Sequence, residues 1–366
     1  MPAETVERDS SMLERIYSSS QRRLAGRARG RYADAGTELA LLAVIVVIGL
    51  AIWIGNHSFI TPANIFDTMQ SVDIIGLIAV GEAFVIISGE LDLAVGAVLA
   101  FTSCTSFVLS THIPWEMAAI ASLALGSFVG LVSGVITTRL HINSFIVTLG
   151  MLSVASGLAY LVTAGLPISG LSQMNWLGQG HIGPVPGQVL LTLFIVGIGQ
   201  WILRKTVFGK QVQAVGDNRV AARFAGIGVS KVKIACLVMT GLLVGLAGLV
   251  QATQFASATP QLDGTLNLNV IAAVIIGGTS LTGGRGSVVG AFLGAVLLGE
   301  IDNAFVLLHL SAFLETVSTG VVILLAVAAD SLRKQRALGR SQSGNNKTIT
   351  WARFAGLRRE AKDELY

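Results

Sequence analysis

The chain has 366 residues, 52% of them apolar and 13% charged, with a mean hydropathy of +0.71, whereas soluble proteins carry about 25% charged residues. This composition excludes an ordinary soluble domain and describes a membrane protein. The net charge of +4 does not imply nucleic acid as a partner, because the basic residues fall in islands that mark a surface facing anionic lipid: seven in residues 1–37, seven between Arg204 and Lys233, nine after Asp330, plus Arg139 and Arg285.

In chain order, residues 1–37 form a basic tail. The first apolar run, 39–55, ends in IWIGN without an A-x-A-like site, so no cleaved signal peptide is expected. Uncharged windows at 39–55, 93–110, 117–138, 144–166, 187–203 and 234–258 approach or exceed the roughly 20 residues that cross a hydrocarbon core. Further candidates are 72–88 with Glu82, 267–283, 286–305, and 311–329 with Glu315. The expected architecture is an all-α polytopic membrane protein of about ten transmembrane helices over residues 38–330. Its cytoplasmic loop is 204–233, and 331–366 form a second basic cytoplasmic tail. With Lys and Arg inside, both termini are cytoplasmic.

The stretch ISGELDLAVGA, 87–97, places Glu90 and Asp92 in an apolar region, with no Lys or Arg between Tyr32 and Thr138 to pair with them. A carboxylate at mid-bilayer costs roughly 2.5–3.5 kcal/mol, so it should face a wet cavity or the bundle interior. Two readings follow. Either the pair lines a polar route where one helix is broken, or it caps the helix beginning near Leu93, where acid is favourable. Glu82, Glu300, Asp302 and Glu315 raise the same question. Cys104 and Cys236, isolated within apolar windows, read as small packing residues. The five histidines are scattered, so no metal site is expected.

Residues 126–145 align with 286–305, with identities at Gly126/Gly286, Ser127/Ser287, Val129/Val289, Gly130/Gly290, Gly134/Gly294, Asn143/Asn303 and Phe145/Phe305. In a ten-span count the copies run in opposite directions, an inverted internal repeat of the kind that holds a substrate route between its halves. The Gly-x-x-x-Gly spacing of Gly126, Gly130 and Gly134, and of Gly286, Gly290 and Gly294, suits close helix packing. Asn143, Phe145, Thr148 and Asn303 join Glu90 and Asp92 as candidates for lining the translocation pathway.

In the 204–233 loop, Asp217 or Asn218 can cap a short helix through Ala221, Ala222 and Phe224, ended by Gly226 or Gly228. Here the chain resembles the ribose-type permeases of bacterial ATP-binding-cassette (ABC) importers. AVGDNRVAARFAGI resembles their EAA-type coupling loop, NVIAAVIIGGTSLTGGRGSVVGAFLGA (269–295) and SFIVTLGML (144–152) resemble two further family stretches, and SGELDLAVGA resembles the pattern SGGIDLSVGS, departing at Glu90 and Ala94. The resemblance runs from about Phe59 to Ala329.

It implies a type II-like importer permease in the bacterial inner membrane, forming the pathway for a monosaccharide or small polyol. Its implied partners are a cytoplasmic ABC ATPase, a second permease chain, identical or different, and a periplasmic sugar-binding protein. The coupling residues are then Gly216, Asp217, Asn218, Ala221, Ala222, Gly226 and Ile227. GGTSLTGGRG (277–286) lacks the lysine that a P-loop needs. The chain is therefore expected to be no enzyme and to bind no cofactor, with ATP and Mg on the partner ATPase. The alternative is a proton-coupled secondary transporter with Glu82, Glu90 or Asp92 as proton carrier.

Overall fold

A computed structural model describes residues 36–170, 175–261, 264–311, 313–314, 316–325 and 327–328. Most of both expected tails, and Glu315, lie outside the described residues. The chain divides into two compact units, 1–319 and 320–366; of the second, 320–325 and 327–328 are described, both as helical.

Among the described residues seven helices are long and apolar enough to span a membrane. They are α1 (Gly36–Gly55), α2 (Pro62–Ile87), α4 (Trp115–Arg139), α5 (Ser144–Thr163), α7 (Gly187–Lys205), α10 (Val229–Gln254) and α12 (Val288–Leu307). Shorter apolar helices are α3 (Val95–Ser110), α11 (Leu266–Ile276) and Thr316–Leu325. Between them lie α6 (Asn175–Gln179), α8 (Val207–Asp217) and α9 (Arg219–Phe224). Two-residue strands β1 (Ile168–Ser169) and β4 (Ser257–Ala258) pair antiparallel, as do β2 (His181–Ile182) and β3 (Val185–Pro186).

Several expected boundaries move for physical reasons. Helix α2 begins at Pro62, ten residues before the expected window, because proline suits a first helical turn. Its opening turns carry Asn64, Asp67, Thr68 and Ser71, and the Thr68 and Ser71 hydroxyls bond the carbonyls of Asn64 and Asp67 four residues back. Helix α3 starts two residues late because 88–94 form a break, and α11 stops at Ile276, where Gly277 and Gly278 (φ +87°) turn the chain.

Helix α2 is the buried axis from Val72 to Ile87, and α10 packs beside it. Helix α4 reaches α10 through glycines: the Gly126 Cα faces the Gly241 carbonyl, the Gly241 Cα faces that of Gly126, and Gly130 faces the Leu237 carbonyl. The second triplet packs elsewhere. Gly290 meets the Gly277 carbonyl, Gly294 meets that of Ala273 on α11, and Gly286 lies against Thr279 and Ile87. Helices α1 and α5 leave most of their surface exposed, as lipid-facing helices do.

The end of α4 and the start of α12 lie at the end of the bundle that carries α8 and α9, so these two helices run in opposite directions. Residues 126–145 straddle the α4–α5 break, whereas 286–305 run without interruption into α12. At that same end Glu38 accepts a hydrogen bond from Ser287 and pairs with Arg204 at 3.7 Å, and Gln200 Oε1 accepts the Val288 N–H at 3.0 Å.

Candidate functional site

The basic loop 204–233 folds by local rules. Thr206 caps α8, its hydroxyl accepting the Gly209 N–H at 3.2 Å. Asn218, not Asp217, caps α9: its Oδ1 accepts the N–H groups of Val220 and Ala221 at 3.0 and 2.9 Å. Asp217 is instead the last residue of α8, with its backbone against Gly284. Helix α9 ends in a Schellman arrangement, with Ile227 N–H bonding Ala222 O, Gly226 N–H bonding Arg223 O, and Gly226 at φ +78°. Gly226, one of the proposed end residues, is the stop. Only Ala222 of α9 is buried; Val220 and Phe224, one turn apart, are 65% and 89% exposed. Asn218→Ala should cost about 1 kcal/mol of local stability, seen as faster amide exchange at Val220 and Ala221 with global unfolding unchanged.

Between α2 and α3 the backbone leaves the helix, and its polar groups must be met inside the protein. Side chains from three other segments do so. Leu91 N–H donates to Ser144 Oγ at 3.2 Å, and Leu93 N–H donates to Thr148 Oγ1 at 3.1 Å, both on α5. Asp92 N–H donates to Glu82 Oε1 at 3.2 Å, and Gly96 N–H to Asn267 Oδ1 at 2.7 Å. Asp92 does not cap α3, whose N-cap position is Ala94 with no side-chain hydrogen bond; its Oδ1 accepts the Ala94 N–H at 2.8 Å in the turn just ahead of the helix.

Glu90 does not cap. Its buried carboxylate pairs with Arg219 at 3.1 Å and with Lys233, and Arg219 also donates to Gly89 O at 2.6 Å. Arg219 opens α9 and Lys233 lies in the second turn of α10, so the cations that Glu90 lacks locally arrive from the distant loop.

The same break joins α8 through bare backbone. Gly216 lies against the Ile87 carbonyl, Gly283 against the Cα atoms of Gly89 and Gly216, and Gly284 N–H donates to Ile87 O at 2.8 Å. Gly89, Gly283 and Gly284 all have φ near +80°, which glycine alone adopts without strain. The N–H groups of Thr279, Ser280, Gly283 and Gly284 all bond protein carbonyls, so the glycine-rich loop is packed, not a phosphate cradle.

A cavity of about 630 Å³ opens beside this junction, with Glu90, Asn143, Phe145, Arg219, Arg223 and Lys233 among its walls. Asn143 also caps α5 through the Phe145 N–H. Five pathway candidates thus gather here: Glu90, Asn143 and Phe145 on the cavity, with Asp92 in the turn beside it and Thr148 bonding that turn from α5. Asn303 does not join them; it forms a reciprocal amide pair with Asn64, in the first turn of α2, far along that helix from the break. Arg219, Lys233 and Ser144 are the site residues that sequence reasoning missed.

Comparison with known proteins decides the family. Residues 64–327 match the model described as "Branched-chain amino acid transport system / permease component". The ribose import permease protein RbsC of Escherichia coli (strain K12) is 35% identical over 302 residues, covering 81% of this chain and 94% of that protein. RbsC of Bacillus subtilis (strain 168) is 37% identical over 309 residues, covering 82% and 93%. The L-arabinose ABC transporter permease protein AraH of Azospirillum brasilense is 36% identical over 313 residues, covering 85% and 92%. This chain belongs to the ribose-type ABC permease family.

Permeases of this family are non-enzymatic pore subunits of importers, multi-pass in the inner membrane, that work with ATPase and binding-protein partners. Membership favours the importer over the proton-coupled secondary transporter.

Proposed function

We propose that this permease forms half of the translocation pathway for a monosaccharide or small polyol, the class named in its relatives ribose import RbsC and arabinose transporter AraH. A second permease chain, identical or different, completes the pore, and a periplasmic sugar-binding protein delivers the solute. ATP and Mg act on a partner ATPase that docks on α9. The supporting observation is α9 itself: Val220 and Phe224 leave an apolar face open, on a helix fastened below to the α2–α3 break. Gly216, Asp217, Asn218, Ala221, Ala222, Gly226 and Ile227 then form the coupling element by shaping and seating this helix.

In this reading α3, α11 and Thr316–Leu325 complete about ten spans, and the opposite directions of α4 and α12 reflect an inverted duplication. The basic loop and both tails face the cytoplasm, in keeping with the islands of Lys and Arg. Glu90, Asp92, Asn143, Phe145 and Thr148 border the inner half of the route, and Asn303 lies toward its other end.

Reconstituted vesicles test this. With binding protein and ATPase present, sugar uptake is expected to follow ATP and to survive a protonophore. Uphill uptake by the permease alone, or collapse with the protonophore at constant ATP, overturns the reading.

A further inference from the structure

We propose that the turn 88–94 is a mechanical relay that carries motion of α9 to α5, with Glu90 as the positioning residue at its input and Ser144 and Thr148 at its output. The inference rests on α9 being the ATPase-docking helix.

The input is two-pronged. Arg219, at the start of α9, holds both the Gly89 carbonyl and the Glu90 carboxylate, while Lys233 of α10 holds the same carboxylate from the other side of the α9–α10 turn. Glu90 and Lys233 are buried while the Arg219 side chain is half exposed, so the Lys233 pair is the less screened of the two. The output is the pair of bonds from Leu91 and Leu93 N–H to the two α5 hydroxyls. Input and output together span only five residues, Gly89 to Leu93, with no regular helix in which a displacement could be absorbed.

Next to the turn the Gly89, Gly216 and Gly283 backbones touch without side chains between them, leaving little slack. Helix α5 is able to respond: it is largely exposed, and a Cβ at Gly150 or Gly157 would meet nothing within 4 Å. Displacing Arg219 therefore pulls on Gly89 and Glu90, and the turn passes the pull to the first two turns of α5. A static staple would make the same contacts but would not set how much sugar moves per ATP.

The test measures that ratio in vesicles containing permease, ATPase and binding protein. Glu90→Gln, Arg219→Gln and the double substitution Ser144→Ala/Thr148→Ala are each expected to lower sugar transported per ATP by about tenfold, within the range that coupling-network substitutions reach. ATP hydrolysis should continue within about twofold of wild type. Because the contacts act in series, Glu90→Gln combined with Ser144→Ala/Thr148→Ala should fall no further than either alone.

Unchanged ratios, losses that multiply on combination, or uptake and hydrolysis falling together overturn the relay. Arg219→Gln and the α5 pair carry the same expectation, so failure of Glu90→Gln to insert leaves the test decisive. Wild-type uptake without ATPase would sink the proposed function itself, whereas ATP-dependent wild type with fully coupled variants sinks only the relay.

Discussion

Gly126→Val is expected to yield no stable permease. A Cβ at Gly126 would sit far inside van der Waals contact distance of the Gly241 carbonyl oxygen, and 3.0 Å from the Gly245 nitrogen. Both obstacles are backbone of a buried helix, so no side chain can swing away. The contact is reciprocal, so moving α10 to admit the new atoms drives Gly241 off Gly126 as well. Overpacking a side-chain core costs about 1–3 kcal/mol, and separating two helix backbones should exceed that. In a bilayer there is no hydrophobic drive to restore the pairing once close packing is lost. The measurement is monodisperse yield in detergent and the thermal midpoint, with Gly157→Val as the contrast. A Cβ at Gly157 meets nothing within 4 Å, so that variant should fold as wild type.

The second large effect is expected at Gly216. Gly216→Ala should abolish uptake while the permease still inserts, because its Cβ would overlap the Ile87 carbonyl and lie 2.5 Å from the Gly284 nitrogen. The clash lies where α8 meets the α2–α3 break, outside the α4–α10 packing, so it should unseat α8 and α9 and spare the bundle. Gly228→Ala is the control, since its nearest neighbours are the flexible Lys231 side chain at 3.5 Å or more. Gly226→Ala falls between them: the space is open, but φ +78° strains an L-residue by roughly 1 kcal/mol. Uptake at matched expression checks the series.

What sequence made legible was what chemistry fixes locally. The ends of α9 were readable to two candidates each, Asp217 or Asn218 and Gly226 or Gly228, because capping depends on a few neighbouring residues, and the structure selects Asn218 and Gly226. Glycine spacing at 126, 130 and 134 announced close packing, but not that the partner is α10. The Asn143/Asn303 match aligned two residues with different tasks, a cap at a helix start and an amide pair inside a helix, because identity at matched positions does not carry helix breaks with it.

The partners of Glu90 were not readable at all. Arg219 meets this turn from 130 positions away, and charge pairing at that separation follows only from the fold. The turn itself showed in the sequence as the gap between the windows 72–88 and 93–110, but its partners did not: its N–H groups are met by the Ser144 and Thr148 hydroxyls and by Glu82.

The seat of α8 is built from carbonyls, amides and glycine hydrogens at Gly89, Gly216, Gly283 and Gly284, so substitution has almost nothing there to vary. With the ATPase docked on α9 as proposed above, recognition of one motor over another falls to the outward face, to Val220, Arg223 and Phe224. Transplanting those three residues from a related permease should readdress this importer to the donor's motor without disturbing the hinge beneath.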